Sequence, residues 1–397
     1  MRSFILAVSS MVGPIIGAGI FGIPFVVAKS GVIPGIFYFV VLTFVVVLLH
    51  LFFGEICLRT EGKHRLVGYA QIYLGIWGLR TEGKHRLVGY AQIYLGIWGK
   101  VFASLVLLFV LVGTLLAYLI LAGDFLRISL SSFLPLSSLS YTLIFVAIGT
   151  FFVAQGRQLI ARAEFLLNVG IFAAIGVIAF FAAPAVRLEN FPVLDVSNLF
   201  LPFGVIFFAL IGWEAIPEVA SFIKDTNSKV SLAKVIVVAT LVAALICFVF
   251  AALVVGVSGL LTSQDAFAGL IPFLGERIAG LGALLGVFAI ASSFLVIANY
   301  MKNALRHDFS VPTALAIAIT IGLPLFLFLV GFNQFISVIS IVGIVTGAAE
   351  GLLMIAILKK AKAVGRRVPE FSVPFSRPLI YFVVFVLLGG ALANLLF

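Results

Sequence analysis

Eleven stretches of about twenty apolar residues run through the 397-residue chain, near 4–28, 33–57, 101–123, 141–156, 163–186, 199–222, 230–256, 279–301, 311–332, 335–358 and 379–397. A helix of roughly 20 residues crosses the ~30 Å hydrocarbon core of a bilayer. In that medium every backbone N–H and C=O must find its partner inside the protein, which restricts a spanning chain to helices or a closed barrel. Continuous apolarity over such lengths selects helices. At 63% hydrophobic and 10% charged, with a mean hydropathy of +1.29, the chain has too little polar surface to solvate a globule. The expectation is an all-α integral membrane protein forming one domain over 1–397.

Two of these spans are interrupted where a plain anchor would carry leucines. The first holds Gly13-Pro14-Ile15-Ile16-Gly17-Ala18-Gly19-Ile20-Phe21-Gly22-Ile23-Pro24, and the sixth runs from Pro202 to Pro217 with Gly204, Gly212 and Trp213-Glu214 inside it. Backbone freed in hydrocarbon costs roughly several kcal/mol per group, so such a break survives only where it is buried in protein or lines a polar cavity. A pair of interrupted helices in corresponding positions of two halves points to a transporter substrate site. The first span has no small-residue cleavage site and reads as retained.

The net charge of +10 orients the chain. With the N-terminus placed in the cytosol, only Lys29, Arg127, Arg187 and Arg277 of the 25 Lys and Arg residues fall outside. Positive charge gathers on the cytosolic side of membrane proteins. The N-terminus is therefore expected inside and, after eleven crossings, the C-terminus outside, in a multi-pass cell (inner) membrane protein with the lipid bilayer as partner and no nucleic acid. Because five spans separate the starts of the two broken helices, the halves 1–186 and 199–358 are expected to be inverted repeats of five spans each, with 379–397 an extra helix. Cys57 and Cys247 offer neither a disulfide framework nor metal-ligand spacing. No nucleophile, base and orienting group fall at one depth, so an enzyme is not expected.

Residues 58–78 recur unchanged as 79–99 in the connection between the second and third spans. A solenoid needs several diverged units, so this 58–99 segment, an identical tandem duplication, reads as a recent duplication, an engineered insertion or an assembly error rather than as an architecture. In each copy, Tyr69, Ile72, Tyr73, Ile76 and Trp77, then Tyr90, Ile93, Tyr94, Ile97 and Trp98, follow helical spacing and suit a short amphipathic helix at the interface. One such helix suffices to join the spans, so one copy is expected to dock and the other to be surplus.

The breaks carry the candidate chemistry. Unwinding around Gly17 to Ile20 frees the amides of Ala18, Gly19 and Ile20 beside a helix N-terminus, a carboxylate-binding arrangement; close packing of the Gly13 and Gly17 kind is the alternative. In the sixth span Pro217 cannot donate to the Trp213 carbonyl, and carbonyls at Ala209, Leu210 and Ile211 are placed to accept a substrate ammonium. Trp213 is either an apolar gate or a packed indole. Glu214 is an ionisable group at mid-membrane depth and so a functional-site candidate, with a structural pair as its alternative. Glu218, one turn on, is a candidate gate residue. Glu55 is expected to pair with Arg59, and His50 to be a packed side chain.

The stretch from Ile16 to Pro24 resembles the first-helix signature of the amino acid/polyamine/organocation superfamily of permeases. The runs 54–60, 212–218 and 289–294 look like its aromatic amino acid permease and amino acid/auxin permease branches. The resemblance implies a LeuT-type fold and an amino-acid transporter, for neutral or aromatic substrates, working by cation-coupled alternating access. Polyamines, cationic amino acids or a non-transporting receptor are the other readings. Metal-ion relatives carry Asp-Pro-Gly-Asn where this chain has Gly13-Pro14-Ile15-Ile16, which disfavours divalent-metal transport. Tyr118 resembles a position that reaches the substrate carboxylate. The carbonyls of Gly13, Ile16 and Ala289 with the hydroxyls of Ser292 and Ser293 match the second sodium site of the family. Some relatives with such a hydroxyl pair are proton-coupled, so the coupling ion stands as Na+ or H+, and Glu214 or Glu350 would carry a proton.

Overall fold

Pro14 lacks the N–H that would bond to the Ser10 carbonyl, and the glycines that follow it favour no single backbone state. In the computed structural model, which describes residues 2–60, 87–155, 172–225, 230–365 and 367–396, helix α1 (Arg2–Ile15) stops just beyond that proline. Helix α2 (Gly19–Ser30) resumes beyond residues 16–18, bent by 62°. The sixth span breaks in the same manner. Helix α7 (Pro202–Leu210) ends at an extended Ile211, a 3-10 turn covers Trp213–Ala215, and α8 (Ile216–Asp225) carries the chain on.

The other helices are α3 (Val32–Arg59), α4 (Leu87–Leu130), α5 (Ser138–Gln155), α6 (Phe172–Ala185), α9 (Leu232–Ser258), α10 (Glu276–Asp308), α11 (Thr313–Leu329), α12 (Phe335–Val345), α13 (Gly351–Val364) and α14 (Arg377–Leu396). A π-helical turn, Thr346–Glu350, joins α12 to α13. Among the described residues, eight helical spans are individually long and apolar enough to cross a membrane, nine with the bent α1–α2 pair; α6 and α11 are apolar but shorter. Each of the eleven expected stretches thus meets an apolar helix. The first part of the fifth, up to residue 171, lies outside the described residues.

Packing sorts the spans into two groups. Helix α9 lies against α1, α2 and α3, while α2 and α3 both pack on α7. Separately, α10 packs along α4, and α5 and α11 pack on both. The tenth span bridges the two, α12 packing on α7 and α4 while α13 packs on α3 and α4. Helix α14 lies at the edge, burying only Val383, Leu387 and Ala391.

The second copy of the duplicated segment enters α4, whose described part begins at Leu87. Gly96 interrupts it with φ 72°, a left-handed conformation that L side chains rarely adopt. Before that kink the segment docks on α3: Tyr90 is buried edge-on against Phe53 at 5.6 Å, and the Tyr94 hydroxyl lies 3.0 Å from Thr60 Oγ1. Ile93, Ile97 and Trp98 face outward. Of the first copy, Tyr69, Ile72, Tyr73, Ile76 and Trp77 lie outside the described residues.

Glu55 exceeds its expected pairing. Its Oε1 accepts from Arg59 Nε and Lys362 Nζ, each at 2.7 Å, and from Ser372 Oγ at 3.0 Å, while Oε2 accepts the Val373 N–H at 2.8 Å. One carboxylate therefore ties the end of α3 to α13 and to the strand of chain leading into α14. Glu55→Gln leaves two cations short of their counter-charge. Removing one partner of a fully buried pair costs about 3–5 kcal/mol. Arg59 and Lys362 keep 16% and 20% exposure, which places the expected loss nearer about 2 kcal/mol, read as a lowered melting temperature of the detergent-solubilised protein; an unchanged melting temperature would show the clamp contributes nothing.

Candidate functional site

The two breaks meet. A Cβ built on Gly19 would stand 2.7 Å from Ala209 Cα, and one on Gly212 would stand 2.2 Å from Ile15 Cγ1. The last turn of α1 thus rests on the break of the sixth span, and the first turn of α2 on the end of α7. Glycine at both positions allows that approach, since a side chain at Gly19 would meet the Ala209 backbone and one at Gly212 the Ile15 side chain.

At this junction backbone groups stand free. Gly17 N–H turns back to Ile15 O at 2.9 Å, Ile16 N–H reaches Val12 O at 3.0 Å, and Ile20 N–H reaches Gly17 O at 3.3 Å. The amides of Ala18 and Gly19 have no backbone acceptor among the described residues, and the carbonyls of Gly13, Pro14 and Ile16 receive no backbone N–H. On the other side of the junction the carbonyls of Ala209, Leu210 and Ile211 are likewise without a backbone donor. Unbonded amides at the start of α2 and unbonded carbonyls at the end of α7 thus lie at two neighbouring helix ends of opposite polarity.

Side chains complete the surroundings. Tyr118, on α4, puts its hydroxyl 3.6 Å from where a Gly17 Cβ would be, and it lies against Ser293 of α10. Trp213 is 1% exposed, edge-on to His50 at 5.9 Å and to Phe207 at 6.5 Å, and its Nε1–H donates to Glu350 Oε2 at 3.0 Å. Glu350 comes from the π-helical turn and is itself buried. Glu214, in the 3-10 turn of the sixth span, is exposed. His50 Nε2 accepts the Gly212 N–H at 3.2 Å.

The junction is open on one side only. Every residue of α2 from Gly19 to Pro24 is buried, and Phe21, Phe125 and Phe267 form a three-ring cluster with centroids 4.9 to 5.5 Å apart. Phe267 is held there by Asp265, whose Oδ1 accepts the Phe267 and Ala268 amides at 2.8 and 2.7 Å. Burial raises the Asp265 carboxyl above the usual carboxylate range, against the opposing pull of those amides. On the α1 side, by contrast, Pro14 and Glu214 are exposed and Gly13 and Gly17 half-exposed.

Against the sequence expectations, Gly17, Ala18, Gly19, Tyr118, Ala209, Leu210 and Ile211 gather at one place. Three readings are revised. Ile20 does not offer a free amide, because the turn at Gly17 takes it up. A Cβ on Gly13 would meet nothing beyond its own helix and one on Gly17 only the Tyr118 hydroxyl, so these glycines do not form a close helix–helix seam. Trp213 is packed and hydrogen-bonded in this conformation rather than closing over an open space. Ala289 and Ser292 are buried on α10 and Ser292 is already engaged, but α10 packs along α4 rather than extensively on α1. Ser293 lies against Tyr118, whose hydroxyl also faces Gly17 beside Ile16. His50, expected to be a packed side chain, is bonded through both ring nitrogens; a polar residue inside an otherwise apolar span was the signal for it.

A family model described as the tryptophan/tyrosine permease family matches residues 1–394, nearly the whole chain. No curated protein matches it.

The contact between the breaks is directly testable. Gly19→Ala places a methyl where Ala209 backbone stands, and such overpacking costs about 1–3 kcal/mol. Because the strain falls on the junction, ligand affinity is expected to drop by about tenfold or more, measured by equilibrium binding on protein that still elutes as a single species; native affinity in this variant would mean that the breaks do not form the site.

Proposed function

The chain belongs to the tryptophan/tyrosine permease family, and we propose that it is a secondary active transporter of neutral or aromatic amino acids, driven by an inward cation gradient. The observation that carries this reading is the junction of the two breaks. Free amides at Ala18 and Gly19 suit an α-carboxylate, and free carbonyls at Ala209, Leu210 and Ile211 suit an α-ammonium group. The two ends of a zwitterion are thereby matched by two different helices. Tyr118 adds a hydroxyl on the carboxylate side.

Alternating access is supported by the asymmetry around the junction, sealed by aromatic rings on the α2 side and open on the α1 side. With the N-terminus in the cytosol, as the distribution of basic residues argues, this conformation faces inward. The packing groups support an inverted 5+5 repeat of the LeuT type: spans one, two, six and seven pack together, as do three, four, eight and nine, and in each group the later pair is the earlier pair displaced by five. The membrane assigned is the cell (inner) membrane.

For the coupling ion, Glu350 and Glu214 favour a proton. Glu350 is a buried ionisable group bonded to the Trp213 indole and Glu214 is an exposed one beside it, and ionisable groups at such depth are candidate proton carriers. Sodium held by Gly13, Ile16, Ala289, Ser292 and Ser293 remains the competing assignment, reached if α1 closes toward α10. A second cargo is favoured by Glu214, whose carboxylate would pair with a cationic amino acid or polyamine.

Uptake of labelled tryptophan, tyrosine, leucine and lysine into proteoliposomes, under imposed proton or sodium gradients, separates these readings. Aromatic accumulation driven by a proton gradient is expected; lysine alone accumulating would select the cationic cargo, and binding without accumulation would make the protein a receptor. Glu350→Gln is expected to abolish gradient-driven accumulation while keeping exchange of internal for external substrate. Loss of sodium dependence in Ser292→Ala with Ser293→Ala, and none in Glu350→Gln, would instead establish the sodium site.

A further inference from the structure

His50 is fully buried within α3, and its hydrogen bonds define its chemical form. Nδ1 lies 2.8 Å from Thr240 Oγ1 on α9, and the Thr240 hydroxyl donates its hydrogen to Ile236 O at 2.8 Å. A hydroxyl has a single hydrogen to give, so between Nδ1 and Oγ1 the proton must belong to Nδ1. The ring is then neutral at Nε2 and presents a lone pair there. That lone pair receives the Gly212 N–H at 3.2 Å. With the other tautomer, two N–H groups would confront each other.

In an uninterrupted helix the Gly212 N–H would bond to the Phe208 carbonyl, and residues 209–211 would be wound into the same ladder. The extended Ile211, with ψ 135°, directs that amide away from the helix axis and onto the imidazole. A donor left unpaired at this depth would be strongly unfavourable. His50 removes that penalty only while the break persists. The imidazole's other neighbour is Trp213, edge-on, whose indole N–H is taken by Glu350.

We propose that His50 is a positioning residue of the transport site: as the neutral Nδ1–H tautomer set by Thr240, it holds the Gly212 amide out of the helix and so keeps the Ala209, Leu210 and Ile211 carbonyls available to a substrate ammonium group. This rests on the reading of the junction as the amino-acid site. Its role is separate from contact with the substrate.

The test compares acceptors at one position in the full-length protein. Gln places its amide oxygen near the Nε2 position, Asn reaches only as far as Nδ1, and Phe keeps the ring shape without an acceptor. Equilibrium binding of labelled tryptophan and tyrosine, with elution profile and melting temperature, is measured for His50→Gln, His50→Asn and His50→Phe. His50→Gln is expected within about threefold of native affinity and the other two about tenfold or more weaker, with faster deuterium exchange in the peptide that contains Gly212. Thr240→Val is expected to weaken binding beside His50 and to add little beside His50→Gln, whose oxygen has no tautomer to set. Equal affinity in all three His50 variants, or affinity that follows melting temperature regardless of the acceptor, overturns the proposal. If the native protein binds none of these amino acids while exchange at Gly212 still follows the acceptor, the hold on the break stands and it is the amino-acid site that falls.

Discussion

The close approach of the two breaks, Gly19 on the Ala209 backbone and the Ile15 side chain on Gly212, is the contact on which the rest of this structure depends. Each break alone would strand polar groups in an apolar interior, at roughly several kcal/mol per group. Brought together, the stranded donors of one and the stranded acceptors of the other lie at neighbouring helix ends. The proposed function rests on this arrangement of unpaired backbone groups.

What surrounds the junction keeps it from healing. Pro14 and Pro217 deny the two helices a continuous ladder, and His50 offers the Gly212 amide a partner outside the helix. Further out, Glu55 gathers four donors from α3, α13 and the chain before α14, tying one end of the bundle. At the opposite end Asp265 folds Phe267 against Phe21 and Phe125. These two ties differ in kind, one ionic and partly wet, the other aromatic and dry.

Much of this was legible in the residues. Apolar length located the spans, and glycine with proline inside two of them located both breaks, because backbone chemistry depends on local sequence. Glu55 with Arg59 followed from helical spacing. What stayed hidden depended on packing between distant spans: nothing local to His50 shows that Thr240 lies 190 residues away across the fold, or that Glu350 meets the Trp213 indole. Ile20 was misjudged because a tight turn at Gly17 takes up its amide.

The most direct test of the account is an experimental structure with bound tryptophan or tyrosine. The ligand is predicted at the junction, with its carboxylate on the Ala18 and Gly19 amides, its ammonium group on the carbonyls of residues 209–211, and the Gly212 amide still on His50. A ligand bound elsewhere, or an α7 that runs unbroken through residues 211–212, would contradict it.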